Sequence, residues 1–437
     1  MKKSMIQWNA RCRSERGQML PLIALGGAVL IALIGLSIDL GFAYVTRARL
    51  SKACDAAVLA GMNNINLGLV NAGNVASATF AANYAIGKPS LTDTPTVSYY
   101  FGTDSGGNPT FSMAARTHMN TFFVRVLGAI PGMPNWTALT VGETAQVTRA
   151  TLYLTMVLDR SGSMVDNGGA AHMLDSVTNF TSFFDDTRDN MGLVTFSTTA
   201  RIDAPIAQPF ATTIRTKVSN LAYAGGTFSQ GGLTNALVME NNIVPPTGRF
   251  VKKAVVFFTD GHANIIKQLL DCSSPGYPAS MSATNVLVGG HDEWAGNANG
   301  GGVAFYDPGN PDPYAGQFGC RNCPGNTTDY CPNSPTFPSS EPGGGTKTNN
   351  YVNVTEEAEY RAVQVANAMR QNGIIVYSIG LGSDVNESFL TQIANDPHST
   401  TYDASLPVGA YVPAPDASQL SAAFQRVAED LLIQVVR

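Results

Sequence analysis

Positive charge is scarce in the body of this sequence. Residues 1–17 carry Lys2, Lys3, Arg11, Arg13 and Arg16 against Glu15, a head of +4 in a chain of net charge −5, so the remainder stands at −9. A mildly acidic body offers a polyanion nothing to bind, which excludes nucleic acid as the main partner. Histidines are scattered as well: His172, His262 and His291 stand in no motif relation to a serine or cysteine. No nucleophile with a paired base can be assembled, so an enzymatic role has no support and His172 and His262 read as polar surface residues. Cysteine is sparse, and four of the six residues, Cys272, Cys320, Cys323 and Cys331, share one interval. A second closely spaced pair, the mark of a zinc ribbon, is missing.

What is present begins with an uncharged run from Met19 to Ile38, directly after the basic head. Twenty such residues suffice for a helix to cross a bilayer core. A cleaved signal peptide is the rival reading, but no small-x-small site ends the run, so residues 18–40 read as an uncleaved transmembrane helix. The basic head places the amino terminus in the cytoplasm and the bulk outside. Pro21 falls in the first turn, where a missing N–H costs least. Gly26, Gly27 and Gly35 either allow close packing against another membrane helix or reflect ordinary membrane-helix composition.

Residues 41–95 read as a helical stalk, with a small-residue stripe through Leu50, Ala53 and Ala57 and a second helix over Ala76–Ile86. From 96 to 149 the period changes to alternating β-branched and aromatic residues, separated by GTDSGGN and PGMPN turns, which predicts a small strand-rich module.

Residues 150–437 alternate apolar runs with amphipathic helices. Leu152–Leu158, Met191–Phe196, Val251–Phe258 and Ile374–Leu381 are strand candidates; His172–Phe184, Leu233–Asn242, Glu356–Asn372 and Ala417–Leu432 are helix candidates. That alternation predicts an α/β domain with a mainly parallel central sheet. One interval, about 264–352, breaks the rhythm with Gly, Pro and Asn, and a structureless loop of that length needs a function or its own staples. Its four cysteines are disulfide candidates on compartment grounds, with three pairings open and a four-thiolate zinc site as the alternative.

The first strand ends in Asp159-x-Ser161-x-Ser163. Gly225-Gly-Thr227 opens a later helix, and Thr259-Asp260-Gly261 closes another buried strand. Strand ends at the carboxyl edge of a parallel sheet are where such folds build their sites. Oxygen donors alone suit a hard cation such as Mg²⁺, whereas a capped turn at Asp159 is the plainer reading.

These three segments, in this order, resemble the ion-binding segments of a von Willebrand factor A domain. The resemblance implies a Rossmann-like fold and assigns Asp159, Ser161, Ser163, Thr227 and Asp260 to a divalent ion, Mg²⁺ or another. One coordination position would be left for an acidic residue of a protein partner. The amino-terminal part resembles a second family: Arg16-Gly-Gln, one membrane helix, Asp39-Leu-Gly-x-x-Tyr44, Leu50-Ser-x-Ala-x-Asp55-Ala-Ala57 and Thr121-Phe-Phe-Val-Arg-Val-Leu-Gly128 look like the TadG-like proteins of tight-adherence (Flp) pilus assembly. That likeness implies a single-pass protein of a bacterial inner membrane with its bulk in the periplasm or envelope. Other membrane helices or pilus-assembly components are then candidate partners. The expected function is an envelope-anchored, Mg²⁺-dependent protein-binding module for adhesion or pilus assembly. A structural scaffold with a non-functional ion site is the alternative, and a metal-dependent hydrolase a more distant one.

Overall fold

The computed structural model describes residues 19–65, 68–85, 92–129, 136–270, 284–291, 302–306, 336–348 and 351–434. Backbone contacts divide the chain into two units, one holding Thr110–Val147 and the residues up to Gly102, the other holding Thr103–Pro109 and Thr148 onward.

In the first unit a single helix, α1 (Met19–Asn63), carries both the apolar run and the stalk. At 1.5 Å per residue it is about 68 Å long, more than twice a hydrocarbon core. Its amino-terminal part leaves Leu22, Ile23, Leu30, Ile31 and Ile34 exposed. That is the arrangement of a span whose solvent is lipid, and Pro21–Asn63 has the length and hydropathy to cross a membrane. Farther along, the stripe of Leu50, Ala53, Cys54, Ala57 and Met62 becomes fully buried, packing on α2 (Leu69–Ala85). Close approach is enforced at Gly61, where a Cβ would lie 2.2 Å from the Phe111 ring. Phe111 sits on β2 (Pro109–Asn120), the middle strand of a three-stranded sheet with β1 (Thr96–Thr103) and β3 (Ala138–Thr148). A 3-10 turn spans Val124–Ala129.

The second unit is built on a six-stranded sheet. Its strands are β4 (Thr151–Asp159), β5 (Asn190–Phe196), β6 (Ala200–Ala207), β7 (Val251–Thr259), β13 (Ile375–Leu381) and β14 (Tyr411–Ala414), in the order β14-β13-β7-β4-β5-β6. Only β6 runs antiparallel. Both faces are covered, which is why β4, β7 and β13 read as unbroken apolar runs. Leu152, Leu154, Met156 and Leu158 point to one layer, formed by α4 (Gly169–Ser182), α5 (Ala211–Ser219) and α9 (Leu420–Gln434). Val157, Val255 and Phe257 point to the other, formed by α6 (Ser229–Asn241), α7 (Tyr351–Gln371) and α8 (Glu387–Ala394). A one-turn helix, α3 (Ser163–Asp166), follows β4.

The interval at 264–352 contains short strands. β8 (Ile265–Leu270), β9 (Thr284–His291) and β10 (Gly302–Tyr306) pair antiparallel, and β11 (Thr336–Pro338) pairs with β12 (Thr346–Thr348). Buried Glu357 of α7 ties this excursion down, accepting from Ser339 Oγ at 2.8 Å and Ser340 N–H at 2.7 Å. Cys272, Cys320, Cys323 and Cys331 lie outside the described residues.

Candidate functional site

The strand order sets the site. β5 leaves β4 on one side and β7 flanks it on the other, so β4 and β7 are neighbours separated by almost a hundred residues, and their carboxyl ends form a switch point. Their register pairs Leu158 with Phe258. Asp159 and Thr259 are therefore adjacent at the edge, with Asp260 one step beyond.

Four of the five predicted residues meet directly or through one neighbour. Asp159 is fully buried; its Oδ1 accepts from Ser161 N–H at 2.7 Å and its Oδ2 from the Thr259 hydroxyl at 2.6 Å. Ser161 and Ser163 hydroxyls lie 2.9 Å apart. Ser163 Oγ donates to Asp260 Oδ1 at 2.8 Å, Ser161 Oγ reaches the same oxygen at 3.5 Å, and Asn167 Nδ2 donates to Asp260 Oδ2 at 3.1 Å. Thr227, the fifth, lines the same cleft, and it is its backbone that is tied down: Thr227 N–H donates to Asn264 Oδ1 at 2.7 Å and Asn264 N–H to Thr227 carbonyl at 3.1 Å.

The loops are bound to one another by their backbones. Gly162 N–H donates to Gly225 carbonyl and Ala224 N–H to Arg160 carbonyl. Gly225 has φ +82°, a conformation that favours glycine and lets the 225–227 segment turn towards Gly162. The resulting open cleft, about 790 Å³, is lined by Ser163, Asn167, Thr227, Asp260, His262 and Asn264 among others. At its rim His262 Nδ1 lies 2.7 Å from Glu359 Oε1, while Asn386 Nδ2 donates to Glu359 Oε2. The Glu359 bond raises the His262 pKa.

Burial, with the Asp260 charge nearby, pushes Asp159 up to about 7, and burial raises Asp260 as well. The sequence marked neither Thr259 nor Asn167 and Asn264 as site members. Thr259 adjoined a marked residue, so the strand-end position was its only available signal.

Against this geometry the expected Mg²⁺ does not hold. Among the described residues, no group of three or more His, Cys, Asp or Glu side chains is placed to hold a metal ion. The two carboxylates that do meet have all four oxygens engaged by hydroxyl, amide or backbone donors. Burial also favours their protonated forms. With the ion falls its expected coordination of a partner's acidic residue.

Residues 154–281 match the von Willebrand factor type A domain family, and residues 17–64 match the Flp pilus-assembly TadE/G-like family. The chain thus carries a von Willebrand factor A segment and, ahead of it, a TadE/G-like segment that includes the apolar run. The second of these families is named for pilus assembly. No curated protein matches it. Among solved structures it is similar to the pilus adhesin SpaC of Lactobacillus rhamnosus GG, at 16% identity and TM-score 0.41 over 78% of this chain and 35% of that one. It is also similar to the vWF domain of the type V pili tip protein Mfa5 of Porphyromonas gingivalis (14%, TM-score 0.39, 66% of this chain and 97% of that). A third is the PilB minor pilin of Streptococcus sanguinis (15%, TM-score 0.38, 78% and 79%). This chain spans about a third of the SpaC chain's length.

Proposed function

We propose that this protein is a structural scaffold of a pilus-assembly machinery, anchored in the inner membrane by α1, with a von Willebrand factor A domain that docks proteins without an ion. The observation that carries this reading is the closed hydrogen-bond network of Asp159, Ser161, Ser163, Thr259, Asp260 and Asn167. A network whose buried acceptors are all satisfied holds three loops in one geometry and rigidifies the surface they form. Asp159, Ser161, Ser163, Thr227 and Asp260 then act as the frame of a docking cleft. Ser163, Asn167 and Thr227 line it, offering hydrogen bonds to a protein partner.

The basic head stays in the cytoplasm in this reading and the domain faces the periplasm. A periplasm-only reporter fused after Arg437 is expected to be active, and activity of a cytoplasm-only reporter there would reverse the orientation. For the docking role, the full chain is solubilised from its native membrane and pilus-assembly components that co-purify are quantified in millimolar Mg²⁺ and in chelator. Equal recovery is expected. Recovery that collapses in chelator would sink the scaffold reading.

A further inference from the structure

Asp39, the first acidic residue after the apolar run, is fully buried. Its Oδ1 accepts from Phe122 N–H at 3.0 Å, and its Oδ2 accepts from Phe123 N–H at 3.0 Å and Val124 N–H at 2.7 Å. One carboxylate of α1 thus satisfies three consecutive backbone donors at the entry to the 3-10 turn Val124–Ala129. The segment lies along the helix on the membrane side of Asp39: a Cβ at Gly35 would stand 2.5 Å from Phe123 Cβ. Phe122 leans the other way, its ring 6.0 Å from that of Phe42.

Gly35 belongs to the uncharged run that ends at Ile38, about 6 Å along the helix from Asp39. Phe123 therefore sits at the depth of the last apolar turn. Phe122, Phe123 and Val126 are nonetheless 44%, 41% and 64% exposed, beside the equally exposed Ile34 and Ile38 of the span. Arg125 between them is exposed too. Trp136, 43% exposed, is held next to this segment by its carbonyl, which accepts from Thr121 Oγ1 at 2.5 Å.

We propose that residues 121–129 form a second membrane contact, seating Phe122, Phe123 and Val126 in the interfacial layer of the leaflet from which α1 emerges. The occupant of this apolar surface is lipid, because the surface is continuous with the lipid-facing side of the span and lies level with its end. Aromatic side chains collect at that level, and an arginine there extends its charge towards the headgroups. Irregular backbone normally cannot enter such a layer, since its N–H groups go unsatisfied. Asp39 removes that obstacle for three of them. The contact would fix how far α1 projects and hold the first unit against the membrane surface.

The full chain is reconstituted into phosphatidylcholine–phosphatidylglycerol vesicles, with Phe122→Trp and Val126→Trp compared with the parent. Emission added at either position is expected to be blue-shifted and quenched at least twofold by lipids brominated near the top of the acyl chain. Water-like, unquenched added emission at both positions overturns the proposal. A photo-crosslinking residue at Phe122 in the native membrane then separates lipid from protein. Lipid adducts support the contact; adducts confined to a protein band assign the surface to a partner's helix and overturn it.

Discussion

Thr259→Val removes one hydroxyl from the centre of the site and changes almost nothing else in shape. The hydroxyl donates to Asp159 Oδ2 at 2.6 Å, and both residues are fully buried. Asp159 would keep the Ser161 N–H on its other oxygen and lose the only donor shown on Oδ2. A hydrogen bond to a buried carboxylate contributes about 1.5–3 kcal/mol, and water cannot replace it here. For a unit of this size that corresponds to a fall in Tm of roughly 2.5–5 °C. The loss of a donor also pushes the Asp159 pKa further above its already raised value of about 7. In an Asp159→Asn background the acceptor is neutral, so the same Thr259→Val change is expected to cost only about 1 kcal/mol. Thermal unfolding of the full chain in detergent, followed by near-ultraviolet circular dichroism, measures all four proteins of the cycle. A shift below about 1 °C for Thr259→Val, or no difference between the two backgrounds, would refute the idea that this network holds the loops.

Away from the site, Arg149 grips Asp189 with two bonds of 2.8 and 2.7 Å, and Asp189 also accepts from Asp185 N–H. Because both partners are buried, Asp189→Ala strands a charge and is expected to cost about 3–5 kcal/mol, read as a lower denaturation midpoint. Glu240 on α6 is buried against Thr155, and burial pushes its pKa up to about 8. The folded state thus binds this proton more tightly than the unfolded chain, so its stabilising share is full below the ordinary glutamate range and is lost as pH rises through about 8. Glu240→Gln is therefore expected to gain on wild type as pH rises from about 4.5 to about 8, by up to about 1.4 kcal/mol per pH unit; parallel pH profiles of Tm would contradict this. If Cys272, Cys320, Cys323 and Cys331 form two disulfides, the membrane-extracted chain should gain four hydrogens in intact mass on reduction, and alkylation of all six cysteines in the denatured, unreduced chain would reject it.

Much of the architecture was legible because it is encoded locally. β4, β7 and β13 are apolar runs that end at polar or Gly residues, and Gly373 at φ +74° ends α7 where a helix stop was expected. β14 escaped notice: it has four residues, includes Pro413, and exists only because β13 offers it an edge. The interval after β7 read as a loop because its strands are short and its composition is dominated by turn formers. At the site, the oxygen-bearing residues were visible as motifs, but which donors satisfy them depends on the β4–β7 register and on loops returning from Asn167 and Asn264. Motif spacing carries no such information, so an ion was expected where hydrogen bonds close the network. Asp39 is the same case: its three partners lie 83 to 85 residues away.

The most direct test is thermal unfolding of the full-length protein and of Asp159→Asn, with and without millimolar Mg²⁺ and after chelation. Wild-type Tm is expected to be the same in all three conditions, and Asp159→Asn, whatever its own Tm, equally insensitive. A ligand at a hundred times its Kd would stabilise the folded state by about 2.7 kcal/mol. A Mg²⁺-dependent rise of that order in wild type, absent from Asp159→Asn, would contradict an ion-free scaffold.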